Sequence, residues 1–156
     1  MKYNKKLLSG LAGECAVMTQ LCLKGWHPSL AYNNCPTFDI FCYNQDSKKT
    51  VAIQVKTITE KEDGKKIYAV PIMGNRDNRE PFYDDVAGPY VFVYIDSLNN
   101  IKYYILSKDQ FVNLSRRIET DYDKKQRLKP LQGGSPMAMP LSEIVQYENA
   151  WKNIWK

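Results

Sequence analysis

Residues 37–58 read TFDIFCYNQDSKKTVAIQVKTI, and their alternating hydrophobicity predicts two strands joined by a turn. The first strand spans 37–43 and the second spans 51–58, because apolar residues occupy every second position in each. Residues 45–48, QDSK, have the composition of a turn. Positions equally far from the centre of this turn should pair, so each side chain of the first strand has a predictable partner in the second.

Three polar side chains share one face of this predicted hairpin. With the turn centred between residues 46 and 47, Asp39 lies opposite Gln54 and has Lys56 on the diagonal, close enough for the three to interact. Apolar residues would be favoured on the covered side of a sheet, and buried charges are costly unless they are paired or bind a metal. A functional site is one explanation, and a buried Asp39–Lys56 ion pair without catalysis is the other.

The residues before the hairpin predict a helix over 4–24. Apolar side chains recur at 7, 8, 11, 15, 18 and 22, with Asn4 as a candidate N-cap and Gly25 as a candidate stop. Glu14 lies inside or beside this apolar stripe. Either it turns to water at the edge of the helix, or its carboxylate joins Asp39, Gln54 and Lys56 on the covered side of the sheet.

In these residues the sequence resembles the PD-(D/E)XK nuclease superfamily, and within it the restriction-endonuclease-like proteins and Holliday junction resolvases. The resemblance covers residues 7–58, and the motifs that carry it are Gly13-Glu14, Gly25-Trp26, Phe38-Asp39-Ile40 and Gln54-Val55-Lys56-Thr57. It implies an α/β (α+β) fold in which helices flank a restriction-endonuclease-like mixed β-sheet.

The resemblance also implies a Mg²⁺-dependent, endonuclease-like phosphodiester hydrolase that acts on DNA, with Mn²⁺ as a substitute metal. Asp39, Glu14 and the Val55 carbonyl would bind the metal, and Lys56 would hold or polarise the attacking water. Gln54 stands where most members have Asp or Glu; it can still coordinate a cation, but it brings no charge. The alternatives are a non-catalytic nuclease-fold protein that binds nucleic acid or a protein partner, and an unrelated α/β domain whose charges merely pair.

The rest of the chain predicts further strands and helices around one mixed sheet. We expect a single nuclease-like domain over 1–156, with a helical extension from about residue 130. Ser107 and Gln110 form a capping box for a helix that ends near Thr120. The other predicted elements are strands over 67–73, 90–95 and 101–106, and a last helix from Ser142 to about Trp155.

Composition favours an anionic partner. The net charge is +5, and basic side chains outside the central site could contact DNA phosphates without reading sequence. They are Arg76, Arg79, Arg116, Arg117, Lys124 and Lys125. A solvated helix face is the plain alternative for the basic residues of the second predicted helix. Tyr147, Trp151 and Trp155 lie at helical spacing and indicate core packing or a self-association face, which would make a homodimer.

Several classes of protein are excluded or disfavoured. A chain with one histidine, His27, cannot build a multi-histidine metal site by itself. The four cysteines never form a CxxC pair, so we interpret them as small core residues in a reducing cytoplasm rather than as zinc ligands. Since no segment approaches the ~18 apolar residues of a membrane span, we expect no membrane association.

Overall fold

The predicted first helix runs from Lys5 to Leu23 (α1) in a computed structural model of the protein. The Oδ1 atom of Asn4 accepts the N–H of Leu7 at 3.2 Å, as expected of an N-cap. The chain leaves the helix at Gly25, whose φ of 77° is accessible mainly to glycine. The structure describes residues 4–32, 35, 37–60, 69–73, 83, 85–126 and 137–156, without the side chains of 5, 6, 69–73, 122–126, 137 and 138.

In this described part of the chain, seven strands form two sheets. The strands are β1 (Trp26–Leu30), β2 (Ile40–Asn44), β3 (Lys49–Thr59), β4 (Ala69–Met73), β5 (Tyr90–Ile95), β6 (Ile101–Leu106) and β7 (Met137–Pro140). The main sheet has the order β1-β2-β3-β5-β6, in which the β3–β5 pairing is parallel and the others are antiparallel. The β2–β3 hairpin pairs Ile40 with Ile53 and Phe41 with Ala52, which confirms the predicted register.

Helices lie on both faces of this mixed sheet, and each face has its own core. On one face α1 contributes Val17 and Leu21 to a cluster with Ile40, Ile53 and Val55. On the other face the second helix, α2 (Lys108–Gln126), begins at the predicted capping box and extends past Thr120. Its side chains Phe111 and Leu114 pack on residues of β5 and β6, namely Tyr90, Phe92, Tyr104 and Leu106. The α/β class with a mixed, helix-flanked sheet is therefore confirmed.

The prediction of one sheet was wrong, because β4 pairs with β7 in a separate two-stranded sheet. Pro71 lies within β4 and Pro140 ends β7. Proline cannot donate to a ladder, so such strands are suited to edges rather than to the centre of a sheet.

The predicted continuous helix from Ser142 to Trp155 was also wrong. The segment divides into a short helix, α3 (Leu141–Ile144), and two 3₁₀ turns, Val145–Tyr147 and Trp151–Trp155. Asn149 interrupts it with a φ of 54°, and its N–H donates to the Tyr103 carbonyl at 2.9 Å. Tertiary bonds to β6 thus replace helical ones. Trp151 is buried, so its helical spacing reflects core packing.

The interpretation of the cysteines as core residues holds for one of the four. Cys42 is buried, and burial together with the nearby Cys22 raises the pKa of its thiol to about 11. Cys35 is half-buried, and Cys15 and Cys22 are exposed on α1, whose buried side chains are Val17 and Leu21. None of the described helices has both the length and the apolar content that a membrane crossing needs.

Candidate active site

Asp39 lies just before β2, where regular pairing with β3 ends. Its N–H donates to the Ile53 carbonyl at 2.9 Å and its carbonyl accepts the N–H of Ala31 at 2.8 Å, so its backbone is fixed between two strands. The carboxylate turns toward β3, where Oδ2 accepts the backbone N–H of Val55 at 2.7 Å. A carboxylate therefore occupies the position where the β2–β3 ladder opens.

Gln54 contacts the same carboxylate oxygen from β3. Its side chain is only 7% exposed, and its Nε2 donates to Asp39 Oδ2. Because Nε2 faces the carboxylate, Oε1 points away from it. The amide would have to rotate before Oε1 and Asp39 could coordinate the same cation. The expected pairing of Asp39 with Gln54 is present, with Gln54 as the donor.

Glu14 reaches this region from the opposite face of the sheet. At Gly13 the backbone of α1 approaches β3 so closely that an added Cβ would lie 1.9 Å from Thr57 Oγ1. Thr57 points to the α1 face, whereas Lys56, its neighbour in the strand, points to the other. The expectation that all four side chains share one covered face is thus wrong for Glu14, because α1 packs on the opposite layer.

Electrostatics nonetheless links Glu14 to Asp39. Burial and the negative charge of Asp39 raise the pKa of the Glu14 carboxyl. Burial likewise raises the pKa of Asp39, while the Val55 N–H and the positive charge of Lys56 oppose that rise. Asp39 therefore lies within electrostatic range of both Glu14 and Lys56. Lys56 lies diagonal to Asp39, as the register required.

Tyr90 is a member of this site that the sequence did not suggest. It pairs with Gln54 at the start of the parallel β3–β5 ladder and is 5% exposed. Its ring stacks on Phe111 of α2 with centroids 3.6 Å apart and planes 5° apart. Burial and the charge of Asp39 both raise the pKa of its hydroxyl. No local pattern could have identified it, because its position depends on a pairing between distant segments.

The peripheral cations expected to contact DNA lie apart from this arrangement or outside the described residues. Arg117 forms an ion pair with Glu143, and Arg116 lies over the Tyr83 ring at 5.0 Å from its centroid. Both arginines of α2 thus have intramolecular partners. Lys124 and Lys125 lie near the end of α2, but their side chains are outside the described part, as are Arg76 and Arg79 entirely.

The donors at the opening fit Mg²⁺. Burial raises the pKa of both carboxylates, and the charge of Asp39 also raises that of Glu14, so an added cation would favour their ionised forms. Mg²⁺ is held in many enzymes by one or two carboxylates and keeps several waters. Among the described residues no group of three or more His, Cys, Asp or Glu side chains is placed to hold a metal. Asp39 and Glu14 would therefore share the ion with Gln54, the Val55 carbonyl and water.

The fold is similar to that of a known endonuclease. A bacterial homing endonuclease, I-Ssp6803I, superposes with a TM-score of 0.60 at 16% sequence identity, over 96% of this chain and 92% of that one. No protein-family model matches the chain, and no curated protein sequence matches it either. At this identity the likeness establishes an endonuclease-like α+β architecture, and the chemistry has to be argued from the residues themselves.

We expect Gly13→Ala to destabilise the protein and displace Glu14. The new Cβ would lie 1.9 Å from Thr57 Oγ1 and 2.9 Å from its Cβ, so α1 has to move away from β3. Overpacking of this kind costs about 1–3 kcal/mol, which thermal or urea unfolding would measure. Gly10→Ala is the matched control, because nothing lies within 4 Å of its added Cβ. If both variants lose equal stability, the Gly13–Thr57 contact is not the cause.

The raised pKa of Glu14 predicts a pH-dependent gain from Glu14→Gln. A carboxyl whose pKa is higher in the folded state contributes stability below its unfolded pKa and loses it as pH rises. At pH 7 without metal, Glu14→Gln should therefore melt about 1–2 °C above the wild type, a small effect because the group is half-exposed. The advantage should disappear near pH 4, where the wild-type carboxyl is protonated. An advantage that persists there would show that the charge of Glu14 is not its source.

Proposed function

We propose that this protein is a Mg²⁺-dependent endonuclease that hydrolyses phosphodiesters in DNA at the Glu14–Asp39–Gln54–Lys56 site, as the resemblance to the PD-(D/E)XK superfamily implies. The observation that carries the proposal is the position of Asp39. Its carboxylate lies at the opening between β2 and β3, bound to the Val55 N–H and within the electrostatic reach of Glu14 and Lys56.

The roles of the residues follow from their charges. When bound, Mg²⁺ supplies positive charge for the scissile phosphate and lowers the pKa of water. Asp39 and Glu14 would hold it, and its positive charge would favour the ionised form of both carboxyls, whose pKa burial raises. Lys56 is the one cation of the group and would hold the attacking water or offset charge on the phosphate. DNA as substrate is supported by the +5 net charge and by the endonuclease name of the structural neighbour.

The alternative is a nuclease-fold protein that binds nucleic acid or a protein partner without cutting. The bond from Gln54 Nε2 to Asp39 favours it, since that amide satisfies the carboxylate without a metal. The two proposals differ in the need for a divalent cation. A binding-only protein binds DNA equally well in EDTA and Mg²⁺, and leaves it intact in both.

The deciding experiment combines metal calorimetry with nicking of supercoiled and branched DNA over a Mg²⁺ or Mn²⁺ titration. Asp39→Asn should lose metal binding and nicking, whereas Asp121→Asn, an exposed site on α2, should lose neither. DNA affinity should fall with salt, by about 0.9 in log–log slope per neutralised phosphate. Metal binding and nicking that survive in Asp39→Asn would contradict the proposed site.

We also propose that two copies associate through the outer face of α1. Between residues 7 and 23 the only charged side chain is Glu14. Leu7, Leu8 and Leu11 are 65%, 51% and 45% exposed, and Cys15 and Cys22 are exposed too. The exposed side of α1 thus carries a group of apolar side chains that a partner could cover. An uncharged stripe fits a second copy of itself about a two-fold axis, which would supply a second site for the second strand of a duplex.

Leu11→Glu should therefore convert a dimer into a monomer, because it places a charge in the centre of the stripe. Light scattering after size-exclusion chromatography gives the mass, and mild oxidation should cross-link wild-type chains through Cys15 or Cys22. Leu98→Glu is the control, since Leu98 is 80% exposed on the β5–β6 turn. A wild type that is monomeric at concentrations of tens of micromolar would contradict the dimer.

A further inference from the structure

The sheet face that carries Gln54 and Lys56 has a buried part and an exposed part among the described residues. Over β5 and β6 this face is covered by α2 and belongs to a buried core. Over β1, β2 and the first residues of β3, the side chains on the same face are exposed or half-exposed: His27, Ser29, Phe41, Tyr43, Thr50 and Ala52. Their register fixes the shared face, because His27 pairs with Tyr43, Ser29 with Phe41 and Phe41 with Ala52. The alternate residues Ile40, Cys42 and Ile53 are fully buried under α1.

Three rings lie on this exposed surface, those of Phe41 and Tyr43 along β2 and that of His27 beside Tyr43 on β1. His27, Phe41 and Tyr43 form what we call the aromatic row. The rings of His27 and Tyr43 are 6.3 Å apart and tilted by 38°, and His27 Nε2 lies 3.3 Å from Gln45 Oε1. Phe41 is 44% exposed. Antiparallel sheets with one solvated face carry polar side chains there, so aromatic rings on such a face need another explanation.

The row begins at the site. Asp39, Phe41 and Tyr43 follow one another at every second position of the β2 segment and point to the same face. At about 3.3 Å per residue the row extends roughly 13 Å from Asp39. The row contains no carboxylate. In the turn beyond it and at the start of β3, one acidic residue, Asp46, is outnumbered by two lysines, Lys48 and Lys49. A phosphodiester chain with one phosphate at the site could therefore lay its next bases along the row, which among the described residues of β2 brings no carboxylate between Asp39 and the turn.

We propose that the aromatic row stacks unpaired bases of the nucleic-acid strand whose phosphodiester lies at the site, so that the substrate has splayed or single-stranded nucleotides beside the cleavage position. The inference rests on the proposed function and deepens it. Flat side chains on an open sheet bind bases through the faces of their rings, and every base offers such a face. Within a continuous duplex those faces are already covered by neighbouring bases, so an intact duplex gains nothing from the row.

The test measures binding in EDTA, where cleavage cannot interfere. Fluorescence anisotropy of the full chain compares a single strand, a forked duplex and a blunt duplex of one sequence. Phe41→Ala should weaken binding of the single strand and the fork by about fivefold to 100-fold, the range for one lost base stack. Blunt-duplex binding should not change, and Phe41→Trp should restore affinity. Leu98→Ala is the control for loss of an exposed apolar side chain away from the row.

The outcomes separate this inference from the proposed function. The proposed base stacking is contradicted if Phe41→Ala keeps wild-type affinity for the single strand, or if it loses affinity for the duplex to the same extent. It is also contradicted if the wild type binds no single strand. Circular dichroism shows whether the variant is folded, which is expected of a truncation at an exposed position. If the row binds as expected but no metal-dependent cleavage occurs, the endonuclease proposal fails and the row remains. If Phe41→Ala cuts DNA and binds forks like the wild type, the proposed base stacking fails and the endonuclease proposal remains.

Discussion

Lys56→Ala should lose DNA cleavage while it retains the metal. Lys56 lies diagonal to Asp39 in the β2–β3 register, and its positive charge lowers the pKa of that carboxyl. Charge that is fixed where a transition state needs it contributes about 10²–10³-fold to kcat, so the nicking rate should fall by that factor. Asp39 and Glu14 remain, and calorimetry should therefore still detect Mg²⁺ binding.

The matched control for this variant is Lys49→Ala. Lys49 lies on the same strand, carries the same charge and is exposed at the far end of the hairpin. It should keep most of the nicking activity, apart from a modest loss of DNA affinity. If Lys56→Ala nicks at the wild-type rate, the Asp39–Lys56 interaction is a structural ion pair and the lysine has no part in the chemistry. If both variants lose activity equally, the loss reflects general attraction to DNA.

The hairpin part of the site could be predicted because it is local. A turn with clear boundaries and strict alternation on both sides fix which side chains oppose each other, and Asp39, Gln54 and Lys56 lie as that register requires. The helix before the hairpin could be predicted equally well, because its apolar period, its Asn4 cap and its Gly25 stop are local features of the sequence.

The remaining features depend on contacts between distant segments. The alternation of β5 predicted a strand but not its parallel partner, and Tyr90 reaches the site only through that pairing with β3. The stripe of α1 likewise does not say on which face of the sheet the helix packs, which is why Glu14 was expected on the wrong side. At the C-terminus, bonds from Asn149 and Asn153 to carbonyls of β6 outweigh the helical periodicity.

Gln54→Glu should change the metal affinity most. In the structure the Gln54 amide donates to Asp39. A glutamate there would instead place a second carboxylate against the first, with Glu14 close by. Unit charges 4 Å apart interact by about 1 kcal/mol even at the dielectric constant of water, and a dication doubles this. Mg²⁺ should accordingly bind about tenfold or more tightly to Gln54→Glu, since charge count tunes such oxygen sites.

The same substitution should cost stability when no metal is present. With EDTA, repulsion between the introduced carboxylate and Asp39 should lower Tm below that of the wild type, and saturating Mg²⁺ should reverse the order. An active wild-type nuclease would then reach half-maximal cleavage at lower Mg²⁺ in the variant, whereas a binding-only protein would gain metal affinity and at most weak nicking. Gln146→Glu adds the same charge on an exposed C-terminal turn and should change neither quantity. If Gln54→Glu leaves Mg²⁺ affinity unchanged, residue 54 does not face the cation. Asp39 and Glu14 would then have to bind it without help from β3 side chains.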